Sequence, residues 1–386
     1  MCPGIAVDTA RAWTRHDTAR GNFLAHSGAG VTTDLFLAAA GLDPLALEAA
    51  APPGCLRGID PAPLAVRDGV DTLLMLPTWT PRRRATHLLP SFAPLTDARL
   101  AFRFEMSAHA DGDWSAWAAS ATIGAADFAP LPAAAAPLTC DVDLFRAVPA
   151  VDAVRLRVRV RAASSARWIV GLSAADDAPA DLDFGAGAPT RLDVPALSQL
   201  EADATLGPRI CSPTSVAMVL GYWGHAIAPA PLAAEILHPA LDIYGVWPAA
   251  VRAAAARGVA GYLLRFPDWA TARWCLQRGI PIVASVRYAA GELTGAAVAA
   301  TPGHLLVVVG IDGDSVLVND PASPTAAGVA RRYRADEFGR VWLGRGGVGY
   351  VLFDPARVSH ACDASRFIRG ATSAGGLGAI SGPPIS

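Results

Sequence analysis

Gly207-Pro208-Arg209-Ile210-Cys211-Ser212-Pro213-Thr214-Ser215 runs into Val216-Ala217-Met218-Val219-Leu220-Gly221-Tyr222-Trp223-Gly224, with Ser198-Gln199 a short way upstream. Ser212 has the side chain of an N-cap, Pro213 suits the first helical position and Gly224 ends the run, so the stretch predicts a short helix. Cys211 then stands at a helix N-terminus, where unpaired N–H groups carry partial positive charge and favour thiolate over thiol. Val216, Val219, Leu220 and Trp223 recur at helical spacing and would bury one face, aiming the first turn in a fixed direction. A lone cysteine before a helix is more often an inert core residue. Gln199 upstream, and Gly303-His304 and Asn319-Asp320-Pro321 downstream, reverse that preference if the four groups can meet.

Composition bounds the alternatives. A chain of 386 residues is long for one core and favours two domains. Half of it is apolar, yet no uncharged run is long enough to cross a bilayer. Met1 to Arg20 carries Asp8, Arg11, Arg15 and Asp17 without an apolar segment or a small-residue cleavage pattern, so no signal peptide is read and a cytoplasmic location is expected. Lysine is absent while alanine and arginine abound, which reflects a biased genome. A formal charge of -2 argues against a nucleic-acid or anionic-membrane partner, because such partners need a clustered positive field. Arg82-Arg83-Arg84, the one basic run, has no interleaved aromatics and reads as solvated loop. Six cysteines without CxxC spacing fit reduced thiols better than a disulfide framework or a zinc site; no metal and no cofactor are expected.

Up to about Asp68 the chain shows only short apolar pieces broken by prolines. From Val70 it turns strand-like: residues 72–76, 98–106 and 153–161 are bounded by turn residues, and the last two alternate apolar with polar. Several such strands suggest an antiparallel sandwich. Trp114 and Trp117 could form a platform for a carbohydrate or protein ligand, though burial in a core is the commoner fate of Trp. Residues 178–189, rich in Ala, Gly and Pro, read as a linker.

Beyond the linker the periods mix. Helices are predicted over 231–237, 248–258 and 269–278, and a buried strand over 280–286 with Pro281 near its start. Strands at 304–311 and 315–319 flank Asp312-Gly313-Asp314, a hairpin signal, and 350–353 is a last strand. If the hairpin loop holds three residues, His304 faces Ala322 and Asp320 becomes its same-face diagonal neighbour, within reach of an imidazole. A two-residue loop would turn Asp320 away and offer Asn319 instead. Asp320 is preferred, because a charge stabilises an imidazolium.

These residue types suit acyl chemistry. A thiolate attacks an acyl carbon, an imidazolium holds it ready and then protonates the leaving amine, and a carboxylate fixes the ring. Gln199 and the Cys211 N–H would steady the oxyanion, each such donor being worth about 3 kcal/mol in the barrier.

At these residues the chain resembles the C39-like peptidases, cysteine peptidases of papain-like fold related to the domains that trim bacteriocin leaders. The resemblance runs from about Asp193 to Asp354 and rests on residues 194–199, Cys211-Ser212-Pro213-Thr214-Ser215, Tyr222-Trp223-Gly224, Tyr244-Gly245-Val246-Trp247, Gly279-Ile280-Pro281-Ile282-Val283, Gly303-His304 and Asn319-Asp320-Pro321. It implies Cys211 as nucleophile, His304 as general base and acid, Asp320 as orienter and Gln199 as oxyanion donor. The chain departs from the family at Ser212, where Gly is usual, and in the longer insert between Gln199 and Cys211. The β-rich first half also looks like the region preceding this domain in some bacterial relatives.

Gly344 to Gly349 matches the glycine pattern of a dinucleotide loop, but a strand rather than a helix should follow, which removes the pyrophosphate site. His225, His238 and Cys275 lack metal-ligand spacing, and Trp247 is expected in the core under the cleft. The expectation is thus an α+β protein: a β-sandwich-like domain over 1–185, a papain-like cysteine peptidase domain over 186–362 and a disordered tail over 363–386. It would cleave a peptide or protein substrate. A thiol acyltransferase or transpeptidase on the same residues, and a catalytically silent peptide-binding module, are the alternatives.

Overall fold

The computed structural model describes residues 30, 32–61, 64–96, 100–161, 166–203 and 205–358. The expectations for the first twenty residues and for the tail over 363–386 lie outside the described residues.

Two sheets fill the first half. One contains β1 (Thr33–Ala40), β2 (Leu56–Asp60), β5 (Ala85–Pro94), β9 (Ala134–Ala135), β10 (Leu138–Asp141), β11 (Leu144–Val151) and β13 (Trp168–Ala175), in the order β2-β1-β13-β5-β11-β10-β9. The other contains β3 (Leu64–Asp68), β4 (Asp71–Trp79), β6 (Ala101–Ala110), β7 (Asp113–Trp114), β8 (Ala118–Ala119) and β12 (Ala153–Arg161), in the order β3-β4-β12-β6-β7 with β8 on β6. The alternation in β12 does what its period demands: Val154, Leu156, Val158 and Val160 are buried. Rings cross between the sheets, with Phe36 stacked on Trp79 at 5.3 Å and Phe92 edge-on to Phe102 at 5.1 Å.

The other face of β12 is built from charge. Glu105, fully buried on β6, accepts from Arg103, Arg157 and Arg159 at 2.5–2.9 Å, so the buried carboxylate is fully paired. Trp114 and Trp117 correct the sequence reading: they are half-buried on this face, covered by Arg155 at 3.8 Å and Arg157 at 4.0 Å, rather than packed in the core. Arg82-Arg83-Arg84 is an exposed loop, as read, and its guanidiniums are paired: Arg82 binds buried Asp34, Arg83 binds Asp176 and Arg84 binds Asp111 and Asp152.

A third sheet organises the second half. It runs β15 (Ala260–Arg265), β20 (Val348–Phe353), β16 (Ile282–Tyr288), β17 (Thr301–Asp312), β18 (Ser315–Asn319), β19 (Ala330–Arg334), with β14 (Thr190–Arg191) also on β17. The helices are α1 (Pro44–Ala50), α2 (Gln199–Ala202), α3 (Cys211–Tyr222), α4 (Pro229–Ile236), α5 (Trp247–Ala255), α6 (Trp269–Gln277) and α7 (Ala335–Val341). The strand β20, rather than a helix, continues from the glycine-rich run as predicted, beginning within it at Val348. Among the described residues, no helix is long and apolar enough to cross a membrane.

The halves share one contiguous apolar core. At the edge strand β15, the Leu263 and Arg265 N–H groups donate to Ser91 Oγ and Ser173 Oγ of the first sheet, and Tyr262 donates to Ala50 O at 2.7 Å. Side-chain hydroxyls thus close a sheet edge that would otherwise leave buried donors unpaired. Residues 178–189 lack regular structure, as expected of a connection, but are docked: Phe184 meets Trp269 edge-on at 4.9 Å and Arg273 donates to Phe184 O.

Candidate active site

Cys211 opens α3, in which Ser212 through Leu220 are all buried, so the helix packs on every side. Its capping differs from the sequence reading. The N-cap is Ile210, with no side-chain cap, and Ser212 lies inside the first turn, its hydroxyl 3.2 Å from the Tyr350 hydroxyl on β20. Pro213 still falls where a missing N–H does no harm, and Gly224, with φ +92°, takes the left-handed turn after the helix. Ser215 donates to Leu305 O at 3.1 Å, fastening α3 to β17 one residue past His304.

The hairpin that carries His304 and Asp320 reaches the preferred register by an unforeseen route. Asp312 pairs with Ser315, so the loop holds only Gly313 and Asp314, with Gly313 at φ +60° in the glycine position of a tight hairpin turn. That loop alone would have turned Asp320 to the wrong face. A bulge at Val309 adds one residue to β17, restores the register to Val307 opposite Asn319, and so makes Asp320 the diagonal neighbour of His304. The bulge is held from outside the hairpin: Leu192 donates to Val309 O at 2.8 Å, and β14 pairs with Gly310 and Ile311. Gly310 is required there, since a Cβ would lie 2.2 Å from Thr190 O.

His304 Nε2 is 2.8 Å from Asp320 Oδ1, both groups being buried. Asp320 also accepts from Ala322 N at 3.1 Å and, through Oδ2, from the Tyr333 hydroxyl at 2.8 Å. With Nε2 committed to the carboxylate, Nδ1 is the ring nitrogen left for another partner, and the ring and the Cys211 sulfur shift each other's pKa. Burial alone would lower the His304 pKa, but the Asp320 charge and hydrogen bond, joined by Cys211, raise it to about 10. Burial would raise Asp320, and His304 and Tyr333 instead bring it down to about 2. Burial would likewise raise Cys211; His304, then the Leu305 and Ser212 N–H groups, outweigh it and hold the thiol below its ordinary value. Cys55, Cys140 and Cys275 are buried and pushed upward, Cys55 to about 12. Among the described cysteines, Cys211 is the one that is only partly buried.

Gln199 stands apart from this chain of contacts. Ser198 caps α2 and donates to Ser323 O at 2.6 Å, and Gln199 N donates to Pro321 O, so α2 is moored to the loop after Asp320. The Gln199 side chain is buried. Its Nε2 donates to Gly207 O at 2.8 Å, four residues before Cys211, and Oε1 has no partner. Asn319, the alternative orienter, is a fastening instead, donating to Val194 O and Pro195 O. Tyr333 was missed from the sequence because the strand Ala330–Arg334 was not read; its one signal is a lone aromatic at an alternate position among arginines.

Residues 191–350 match the model of the Peptidase_C39 like family, which shows for that stretch the resemblance read from the sequence. No curated protein matches the chain. Solved structures similar to it include a double glycine motif protease from an AMS/PCAT transporter in complex with the leader peptide, 17% identical, covering 43% of this chain and 96% of that one at a TM-score of 0.29. Another is a protein from Bacillus anthracis described as a C39-like peptidase, 20% identical, covering 43% of this chain and 98% of that one at a TM-score of 0.32.

Proposed function

We propose that the second half of the chain is a cysteine peptidase domain hydrolysing a peptide or amide bond, with Cys211 as nucleophile, His304 as general acid and base, Asp320 as its orienter and Gln199 as an oxyanion donor. The Cys211 thiolate attacks the acyl carbon while the negative charge gathers on the carbonyl oxygen. That oxygen is met by the Cys211 N–H and by the second hydrogen of Gln199 Nε2, the first being held by Gly207 O. The intermediate collapses as His304 Nδ1 passes its proton to the departing amine, leaving a thioester. Water, deprotonated by the same nitrogen, then attacks the thioester and releases acid and thiolate. Asp320 stays ionised throughout and holds the ring, since its two other hydrogen bonds keep it in place.

The observation that carries this reading is the contrast among the cysteines: one thiol is pulled down by an imidazole bound to a buried carboxylate, while three are pushed up by burial. A silent binding module has no use for that contrast. We also read the two N-terminal sheets as a sandwich-like domain ending near residue 185, with the peptidase domain over 186–362.

The test is iodoacetamide labelling at pH 6 combined with cleavage of a peptide library. Cys211 should label much faster than free cysteine, whose pKa is about 8.5, and Cys211→Ala should lose both labelling at that position and every cleavage product. Labelling no faster than free cysteine, or products that persist in the variant, would overturn the reading. Amine adducts formed in place of free acids, when an amine is added, would instead assign acyl transfer.

A further inference from the structure

The helix that presents Cys211 starts without a side-chain cap, so its own end does not fix its first turn. Two serine hydroxyls fasten that turn to the sheet instead. Ser215 donates to Leu305 O on β17, and Ser212 Oγ lies 3.2 Å from the Tyr350 hydroxyl on β20. Tyr350 stands on a strand paired on both sides, opposite Leu263 of β15 and Val283 of β16, which makes it a rigid anchor. Tyr350 and Ser212 are both buried, and among the described residues each hydroxyl has the other as its hydrogen-bond partner. A buried hydroxyl left unpaired is costly, so each of the two depends on the other.

Ser212 matters because its N–H is among the groups that lower the Cys211 thiol. A serine hydroxyl freed from its partner near a helix start turns back to the carbonyl one turn earlier and bends the backbone. Such a bend would shift the Ser212 N–H relative to the sulfur. Tyr350 is suited to prevent it. Burial, with the charges of Asp143 and Cys211, outweighs the Ser212 bond and holds the Tyr350 hydroxyl well above its ordinary range, so it keeps its proton throughout the range in which Cys211 titrates.

We propose that Tyr350 is a positioning residue for Cys211: its hydroxyl fixes the Ser212 side chain, and thereby the turn of α3 that presents the sulfur and the Ser212 N–H. The inference rests on the peptidase reading of Cys211 and adds to it a residue from the far side of the helix.

The test is a double-mutant cycle of Tyr350→Phe and Ser212→Ala in the full chain, read as the iodoacetamide rate of Cys211 against pH, with melting temperatures alongside. Both changes remove one oxygen and add no volume, so the variants should fold. Each single change leaves one buried hydroxyl without its partner. Labelling at pH 6 should then slow by about two- to tenfold, the range spanned by one neutral hydrogen bond, with the low-pH limb moved upward. The double variant leaves neither hydroxyl unpaired and should label faster than either single variant. Unchanged profiles in both single variants, a double variant no faster than they are, or melting temperatures that fall while the low-pH limb stays in place would overturn the role of Tyr350 alone. Wild-type labelling no faster than free cysteine at pH 6 would remove the peptidase reading and this role with it.

Discussion

Asp320 is fully enclosed and ionised, and it stays so because three donors converge on it: His304, Tyr333 and the Ala322 N–H. Its charge is the main reason His304 is raised to about 10, and the imidazolium is in turn what lowers Cys211. Asp320→Asn keeps the shape and removes the charge. An opposite charge at this range is typically worth about 1–3 pKa units, so the low-pH limb of Cys211 alkylation should move up by a comparable amount and labelling at pH 6 should fall at least about tenfold. The measurement is iodoacetamide rate against pH on folded protein; an unchanged profile would remove Asp320 from the relay. Stability follows from the same shifts. The raised His304 pKa contributes stability that is fully present below about pH 6.5 and is lost as pH rises through about 10, while the depressed Asp320 contributes stability present above about pH 3.8 and lost as pH falls toward 2. The types Cys, His and Asp, and their order along the chain, were legible in the sequence. Tyr333 was not, because nothing local distinguishes a hydroxyl that bonds a buried carboxylate from any other strand aromatic.

At the scale of elements, two short segments matter beyond their length. Thr190 to Leu192 takes the side of β17 that β16 leaves open beyond Val308, and it holds the bulge that sets Asp320 beside His304. The turn over 207–209 holds Gln199, and Gly207 is there because a Cβ would lie 2.9 Å from Gln199 O and 3.2 Å from Leu200 Cα. Gly207→Ala must therefore push α2 away from the turn. Since low-pH thiol reactivity is set by His304 and Asp320, we expect it to be kept while turnover drops by about 100–1000-fold, the range for loss of one oxyanion donor. Equal loss of both would mean that the turn merely shapes the start of α3. Caps and loop length were the least readable features. Ser212 looked like a cap and bonds Tyr350 instead, and the hairpin loop is one residue shorter than preferred, with the bulge making up the difference.

For the whole molecule, the first half reaches toward the site. Asp143, between β10 and β11, accepts from Trp247 N at 2.8 Å at the start of α5, and burial, only partly offset by that bond, raises its pKa to about 7. A carboxyl raised above its unfolded value favours folding while protonated, so this contribution is present below about pH 3.8 and fades as pH rises through about 7. Asp143→Asn keeps an acceptor for Trp247 and cannot ionise. Its melting temperature relative to wild type should therefore be higher at pH 8 than at pH 5. A difference that does not change with pH would show that Asp143 is ionised without penalty.

By itself the sequence determined which groups the chain has for thiol chemistry, the existence of a short helix next to Cys211, and the alternating strands of the first half, because side-chain period and the stop at Gly224 are local properties. Tertiary structure alone decided which face Asp320 takes, what satisfies its second oxygen, and that the serines of one sheet close the edge of another. Each of these depends on a backbone or side-chain group far away in the chain, Leu192 for the bulge, Tyr333 for the carboxylate and Ser91 for β15, and no local pattern records where such a partner arrives.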